Sequence, residues 1–161
     1  MEAVGRERLN EFMPRLLAQL EQSTAPARSL LRIIPLLEAV LRRTAYLLLL
    51  SENPSALKEL VVLCAASPWI SNQLARHPVL LDELLNASNL YSTPEKHELR
   101  AELQQQMLRL LPDDLEAHME ALRYFKQSHV LRVAACEVSG RLPLMKASDY
   151  LTMIAEVILE Y

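Results

Sequence analysis

Two pairs of adjacent acidic residues, Asp82 with Glu83 and Asp113 with Asp114, are the first candidates for chemistry in this sequence. Metal-assisted nucleotidyl transfer needs clustered carboxylates that hold two divalent ions, and a glycine-bearing turn that admits a triphosphate. The sequence has no Asp-x-Asp motif and no glycine near either pair. We therefore interpret both pairs as helix caps or solvated surface groups, and we assign no catalytic residue.

The histidines and cysteines are candidates for metal binding or nucleophilic catalysis. The histidines show no i, i+4 pairing, and the cysteines lack both metal-ligand spacing and a nearby histidine that could activate them. We predict no metal site, buried and reduced thiols, a loop or cap position for His77, and a partly buried, singly hydrogen-bonded ring for His129. The full set is His77, His97, His118, His129, Cys64 and Cys136.

Five basic residues in the C-terminal part of the chain could form a strip that faces a partner molecule. They are Arg123, Lys126, Arg132, Arg141 and Lys146. Long basic side chains also commonly border a hydrophobic core and pair with neighbouring carboxylates, here Glu116, Glu120 or Glu137. The sequence leaves both interpretations open, and the five residues stay candidates for contact with a partner.

Most of these candidates lie on or beside one long helix, which is predicted over 115–139. Apolar residues recur there at steps of three and four, so that neighbouring helices must cover one face. Asp113 or Asp114 can cap the first turn, and Gly140 is the expected left-handed residue just past the end. We expect this helix to be the central element of the fold.

Further helices are predicted on both sides of the central helix. Four prolines, Pro54, Pro68, Pro78 and Pro94, stand where the first residue of a helix belongs, because the amide that proline lacks has no partner there. Ser148 is the expected N-cap of the last helix, whose core face would contain Leu151, Ile154, Ala155, Ile158 and Leu159. The other predicted spans are about 5–22, 27–50 with a kink or a start at Pro35, 54–66, 68–76, 78–85 and 95–111, with a polar turn at 86–93.

Composition favours an all-α, multi-helix bundle that forms a single domain over 1–161. Hydrophobic residues make up 51% of the chain, and only two glycines are available for hairpins or phosphate-binding loops. Trp69, the only tryptophan, is expected to anchor the core. A formal net charge of -3 argues against nucleic-acid and anionic-membrane partners.

Several features predict a cytoplasmic chain that is part of a longer protein. The N-terminus carries mixed charge and lacks the apolar segment of a signal peptide. The most apolar stretch, 45–50, is far shorter than the roughly 20 residues that span a membrane. The last predicted helix stops at Tyr161 without a C-cap, which suggests a fragment.

Three stretches that together extend over most of the chain carry a family resemblance. They are residues 63–85 (LCAASPWISNQLARHPVLLDELL), 122–140 (LRYFKQSHVLRVAACEVSG) and 142–156 (LPLMKASDYLTMIAE). In this order, and with appropriate lengths between them, they resemble the bifunctional glutamine synthetase adenylyltransferase/adenylyl-removing enzyme family. The resemblance covers about the whole chain.

The resemblance implies a place for this chain within a larger enzyme. In that family, one nucleotidyltransferase module removes AMP from a tyrosine of glutamine synthetase and a second module adds it. A helical region between the modules takes part in regulation by the PII signalling protein and glutamine. This chain resembles that central regulatory and linker region, with the nucleotidyltransferase modules flanking it in the same polypeptide.

The resemblance assigns the catalytic chemistry to the parent enzyme. The family's catalytic signature, a glycine-rich turn followed by Asp-x-Asp, would lie beyond Tyr161, so ATP and Mg²⁺ are implied for the parent and no cofactor for this chain. Two alternatives stay open. The chain could form a wall of the adenylylating module against which glutamine synthetase docks, or it could be an unrelated helical adaptor for protein interactions.

Overall fold

Nine α-helices and one 3-10 helix make up the fold of the residues that the structure describes. A computed structural model describes residues 3–161 and places no strand among them, which confirms the all-α prediction. Residues 1 and 2, which belong to the N-terminal segment considered above, lie outside the described residues. The elements are α1 (Ala3–Glu21), α2 (Pro26–Val40), α3 (Thr44–Glu52), α4 (Pro54–Ala66), α5 (Pro68–Arg76), the 3-10 helix (Pro78–Leu85), α6 (Ala87–Leu90), α7 (Lys96–Met107), α8 (Leu115–Val138) and α9 (Leu144–Leu159).

The described residues group into two compact units, one extending to Ala87 and the other comprising Ser88–Tyr161. In the first unit, α2 packs on α4 and α5, and α1 packs on α3. In the second unit, α8 packs on α9 and α7, and α7 also packs on α9. That the whole chain forms one domain stays a prediction.

Prolines start three consecutive helices of the first unit, as predicted. They are Pro54, Pro68 and Pro78. The side chain of Ser67 also caps α5, because its Oγ accepts a hydrogen bond from the amide of Ile70 (3.3 Å). The third of these helices is of the 3-10 type, and the predicted polar turn after it contains the short helix α6.

α2 and α3 are separate helices, although the sequence predicted one helix over 27–50. α2 ends at Val40 and α3 begins at Thr44, after a tight turn in which the amide of Arg43 donates to the carbonyl of Val40 (2.8 Å). This turn allows α2 to pack on α5 while α3 packs on α1, so tertiary packing sets the break. Pro35 lies inside α2 and does not begin it.

The guanidinium of Arg32 joins α2 to the C-terminal end of α4. Its Nη1 donates to the carbonyls of Cys64 (3.0 Å) and Ala65 (2.7 Å). These carbonyls belong to the last turn of α4, where no amide of the same helix can reach them. Burial raises the pKa of the Cys64 thiol to about 12 despite the opposing charge of Arg32. Cys64 is free and buried, as predicted.

α7 begins at Lys96, two residues after Pro94, which the sequence predicted as the first residue of this helix. Its N-cap is Glu95, whose side chain accepts from the backbone of Glu98, while the carboxylate of Glu98 accepts from the amide of Glu95 (2.7 Å). This reciprocal capping box satisfies two amides that the helix leaves unpaired. Pro94 therefore precedes the cap, and the prediction that it starts the helix was wrong.

α8 covers almost the predicted 115–139 span and has the predicted ends. Oδ1 of Asp114 accepts from the amide of Ala117 (2.9 Å), and Gly140 has a positive φ of 73°. The amide of Arg141 donates back to the carbonyl of Cys136 (2.9 Å), which completes a Schellman C-cap. The N-terminal half of α8 is largely exposed, whereas buried residues lie on several sides of 125–136.

α9 differs from the prediction in both its start and its core face. It begins at Leu144 after Pro143, so Ser148 is an interior residue whose carbonyl accepts from the hydroxyl of Thr152 (3.1 Å). The buried residues of α9 are Ala147, Ile154 and Val157. Three members of the predicted core face, Leu151, Ala155 and Leu159, are instead exposed. α9 is rotated about its own axis relative to the prediction, so that a different stripe packs against α7 and α8.

The core of the second unit combines all three of its long helices. Its buried members are Leu99, Leu103, Met107, Phe125, Val133, Cys136, Leu142, Ala147, Ile154 and Val157. None of the helices within residues 3–161 has the length and apolar character needed to cross a membrane.

Candidate functional site

The ends of α7 and α9 are joined by an ion-pair network on the surface of the second unit. Nζ of Lys96 lies 2.6 Å from Oε2 of Glu156 and 3.0 Å from Oε1 of Glu160. Nε of Arg100 donates to Oε2 of Glu160 (2.9 Å), and a second nitrogen of the same guanidinium contacts that oxygen. We call these four residues the α7–α9 clamp.

The clamp shifts the pKa values of its members in the directions expected for paired charges. Hydrogen bonds to Glu156 and Glu160 raise the pKa of Lys96, and hydrogen bonds from Arg100 and Lys96 lower the pKa of Glu160. Both basic residues are one helical turn apart on α7, and both acidic residues are one turn apart on α9. This matched i, i+4 spacing on each helix is visible in the sequence, but nothing in the sequence indicated that α7 and α9 lie side by side.

A second polar contact joins α7 to α8 inside the unit. The ring of His129 is 2% exposed, and its Nε2 lies 3.2 Å from Oε2 of Glu102. Nε2 of His129 has no well-directed hydrogen bond among the described residues, so its approach to Glu102 is a close polar contact between the two side chains. The ring also packs at a tilt on Phe125, with 4.4 Å between centroids. His129 is thus more deeply buried than the sequence predicted.

Glu102 takes part in this contact as a carboxylate. Burial raises the pKa of Glu102, but the contact with His129 and the charges of His129 and Arg132 outweigh burial, so that the pKa lies below its ordinary value. Nε2 of Gln106 donates to the other carboxylate oxygen (3.3 Å). This pairing could not be predicted from the sequence, because Glu102 and His129 belong to different helices.

The five basic candidates occupy separate parts of the second unit. Arg123 and Lys126 lie on one side of α8, and Arg123 pairs with Glu120 (3.3 Å), one of its predicted partners. Arg132 is nine residues from Arg123, which at 100° per residue places it on the opposite side of α8, about 13 Å along the axis. That they contact a partner stays a prediction.

The last two basic candidates follow the end of α8. The guanidinium of Arg141 lies over the ring of Tyr91, with 3.7 Å between Cζ and the ring centroid. This stacking is a cation–π contact and fixes the segment after α8 on the segment before α7. Lys146 is exposed in the first turn of α9.

The acidic pairs and Trp69 have structural surroundings that differ in part from expectation. Asp114 is a helix cap, as predicted, whereas Glu83 is buried in the 3-10 helix. Burial, and next the charge of Glu83, raise the pKa of Asp82. Trp69 is 43% exposed on α5, so the prediction that it anchors the core was wrong.

Metal binding is not supported by the residues that the structure describes. No group of three or more His, Cys, Asp or Glu side chains within 3–161 is arranged to hold a metal ion. The residues therefore do not fit the Mg²⁺ that the family resemblance implies for its catalytic modules. The polar contacts described above join α7 to α9 and α7 to α8.

Comparison with known proteins places the chain in a family. The model of the glutamate-ammonia ligase adenylyltransferase family matches residues 57–161. A protein of Pseudomonas putida is 59% identical over 160 residues, which are 99% of this chain and 16% of that protein. Proteins of Hahella chejuensis (59% identical, 99% of this chain, 17% of that protein) and Shewanella oneidensis (49%, 97% and 16%) are similar.

All three relatives carry the name bifunctional glutamine synthetase adenylyltransferase/adenylyl-removing enzyme. The chain spans about one sixth of the length of these curated relatives. The family match covers well over half of the chain, including all of the second unit. This chain belongs to the glutamate-ammonia ligase adenylyltransferase family.

Proposed function

We propose that this chain is the central helical regulatory and linker segment of a longer cytoplasmic enzyme that adds AMP to, and removes AMP from, a tyrosine of glutamine synthetase. The observation that carries the proposal is the match of nearly the whole chain to 16% of relatives whose name contains both activities. ATP and Mg²⁺ would act in the nucleotidyltransferase modules outside these residues.

The contacts between α7, α8 and α9 suggest how such a segment transmits a signal. Long helices can move as rigid bodies. Two packed helices change between discrete arrangements more readily than they deform continuously. The α7–α9 clamp and the contact of Glu102 with His129 are polar contacts at helix–helix interfaces. An effector that favours a state with these contacts broken would change the direction of α9, and with it the placement of a module attached there.

PII and glutamine are the effectors that we propose for this segment. The test is a calorimetric titration of the chain with unmodified and uridylylated PII, each with and without glutamine. Saturable binding that depends on uridylylation would support a regulatory contact within these residues. Absence of binding in all four conditions would contradict a direct contact and favour a segment that only transmits or spaces.

The basic candidates supply a matched pair of variants for this titration. The double substitution Arg123→Glu and Lys126→Glu reverses two charges on one side of α8, where both side chains are exposed. The control Arg43→Glu and Lys58→Glu reverses two exposed charges in the first unit. We expect the α8 variant to weaken PII binding at least tenfold and the control to leave it unchanged, whereas equal effects would reflect net charge alone.

A docking wall for glutamine synthetase is the second candidate function, and one observation favours it. Leu108, Leu111 and Leu115 are 85%, 74% and 76% exposed around the turn between α7 and α8. Such grouped apolar exposure is typical of surfaces that contact another protein. The chain would then compete with the Pseudomonas putida relative for glutamine synthetase in an adenylylation assay. Leu111→Ser with Leu115→Ser should abolish the competition, and an unchanged inhibition would exclude this surface.

A further inference from the structure

α9 carries an exposed apolar stripe in addition to its core face. The stripe comprises Leu144, Ser148, Leu151, Ala155 and Leu159, all exposed, with Leu144 and Leu159 at 73% and 85%. At 100° per residue these five positions fall within about 80° of the helix circumference. They extend over almost the full length of α9, about 24 Å at 1.5 Å per residue. The spacing of four, three, four and four residues is that of a helix–helix contact.

The stripe is distinct from the face that covers the core of the second unit. The core face contains Ala147, Ile154 and Val157. A helix on the surface of a bundle needs one apolar face only, so the second one has no function within this unit. Ser148 and Ala155 are small and one heptad apart, and small residues at that spacing allow another helix to approach closely.

Charge defines the kind of helix that fits the stripe. Asp149 is exposed beside the stripe, and Glu156 lies along the same edge with its carboxylate already paired with Lys96 in the α7–α9 clamp. A helix with an apolar stripe and with lysine or arginine along the adjoining edge would complement both features. Antiparallel pairing with a second copy would place the acidic edges of both copies on the same side. The resulting repulsion disfavours an antiparallel homodimer.

We propose that the occupant of this stripe is a helix from the rest of the longer polypeptide, outside these 161 residues. The proposal rests on family membership and not on the regulatory role: the relatives have about six times the length of this chain. A segment of the same polypeptide binds at a high effective concentration, so a stripe of modest area is sufficient. The occupant has a basic edge that faces Asp149.

Cysteine labelling measures whether the stripe is covered in the full-length protein. The matched region of the Pseudomonas putida relative is replaced by this chain, and adenylylation activity shows that the hybrid is folded. Single substitutions Ser148→Cys and Ala155→Cys put a small thiol on the stripe. Ala27→Cys and Ala101→Cys are the controls, on exposed positions of α2 and α7. The two natural thiols are buried and contribute little background.

The expected result is a difference between stripe and control positions. In the 161-residue chain, all four thiols should react with a maleimide at similar rates. In the hybrid, the stripe thiols should react at least 100-fold more slowly, while the controls keep their rates. Asp149→Lys in the hybrid should restore at least a tenfold faster reaction of the thiol at position 155, because it repels the basic edge.

Three results would overturn the proposal. Stripe thiols that react as fast in the hybrid as in the 161-residue chain would show that no helix of the polypeptide covers the stripe. Slow labelling of the 161-residue chain itself, together with a dimer in sedimentation velocity, would identify a second copy as the occupant. An unchanged rate after Asp149→Lys would refute the basic edge. None of these readouts depends on PII or glutamine, so the proposed regulatory role can fail independently.

Discussion

Glu102→Gln tests whether the contact between α7 and α8 depends on a charge. His129 is almost fully buried and faces Glu102 across 3.2 Å, while the carboxylate side chain is 34% exposed. A hydrogen bond to a charged group is worth about 1.5–3 kcal/mol. Because Nε2 of His129 lacks good hydrogen-bond geometry and the carboxylate is partly exposed, we take the lower end of this range for the contact. We expect Glu102→Gln to lower the free energy of unfolding by about 1.5 kcal/mol. With a urea slope of about 2 kcal/mol per M, the midpoint falls by about 0.7 M.

The pH dependence of this effect follows from the lowered pKa of Glu102. A carboxylate with a lowered pKa in the folded state stabilises the protein above its ordinary pKa of 4.5, and this contribution is lost as the pH falls through the folded-state value. The difference between Glu102→Gln and the unaltered chain should therefore be complete at neutral pH and should disappear in acid.

Urea unfolding followed by far-ultraviolet circular dichroism measures both effects. Glu137→Gln, which neutralises an exposed carboxylate on α8, is the control and should change the stability by less than about 0.5 kcal/mol. Equal losses in the two variants would show that the loss reflects general charge and not the contact with His129. A loss that persists in acid would refute the assignment to the carboxylate.

Three further outcomes are expected. Gly140→Ala should cost about 1 kcal/mol in urea unfolding, because the backbone has a φ of 73° and the new Cβ meets no neighbour within 4 Å, so that only backbone strain acts; an unchanged stability would argue against the left-handed cap. Burial raises the pKa of Cys64 to about 12 and also raises that of Cys136, so a thiol reagent at neutral pH should label both only on unfolding; rapid labelling of the folded chain would contradict their burial. Acrylamide should quench the fluorescence of the half-exposed Trp69 in the folded chain, and strong protection until unfolding would place the ring in the core.

Helix ends were predictable from the sequence where one residue sets them. Pro54 and Pro68 lack the amide that a first turn leaves unpaired, Asp114 supplies a carboxylate to such amides, and Gly140 adopts a φ that other residues avoid. These are local effects within four residues. The break between α2 and α3 has no glycine or proline to mark it, and it depends on packing against α1 and α5.

The candidate site was much less predictable than the helices. The clamp joins residues 60 and 64 positions apart, and its chemistry becomes visible only when α7 and α9 lie side by side. The basic candidates were selected by charge along one helix. In the structure, the charge of Arg132 helps to lower the pKa of Glu102 on α7, and the guanidinium of Arg141 lies over the ring of Tyr91. The prediction of the core face of α9 was wrong for a related reason. Two apolar stripes were present in the sequence of this helix, and periodicity alone could not show which of them is buried.

α8 is largely exposed in its first half and has buried residues in its second half, so the two halves should unfold differently. Amides in its exposed first half should exchange with deuterium at rates set by fraying, since few buried side chains hold that half in place. Amides of 125–136 should exchange only when the surrounding unit opens, because buried residues there lie on several sides. The first half of α8 could thus unwind and re-form while residues 125–136 stay helical and the core stays closed.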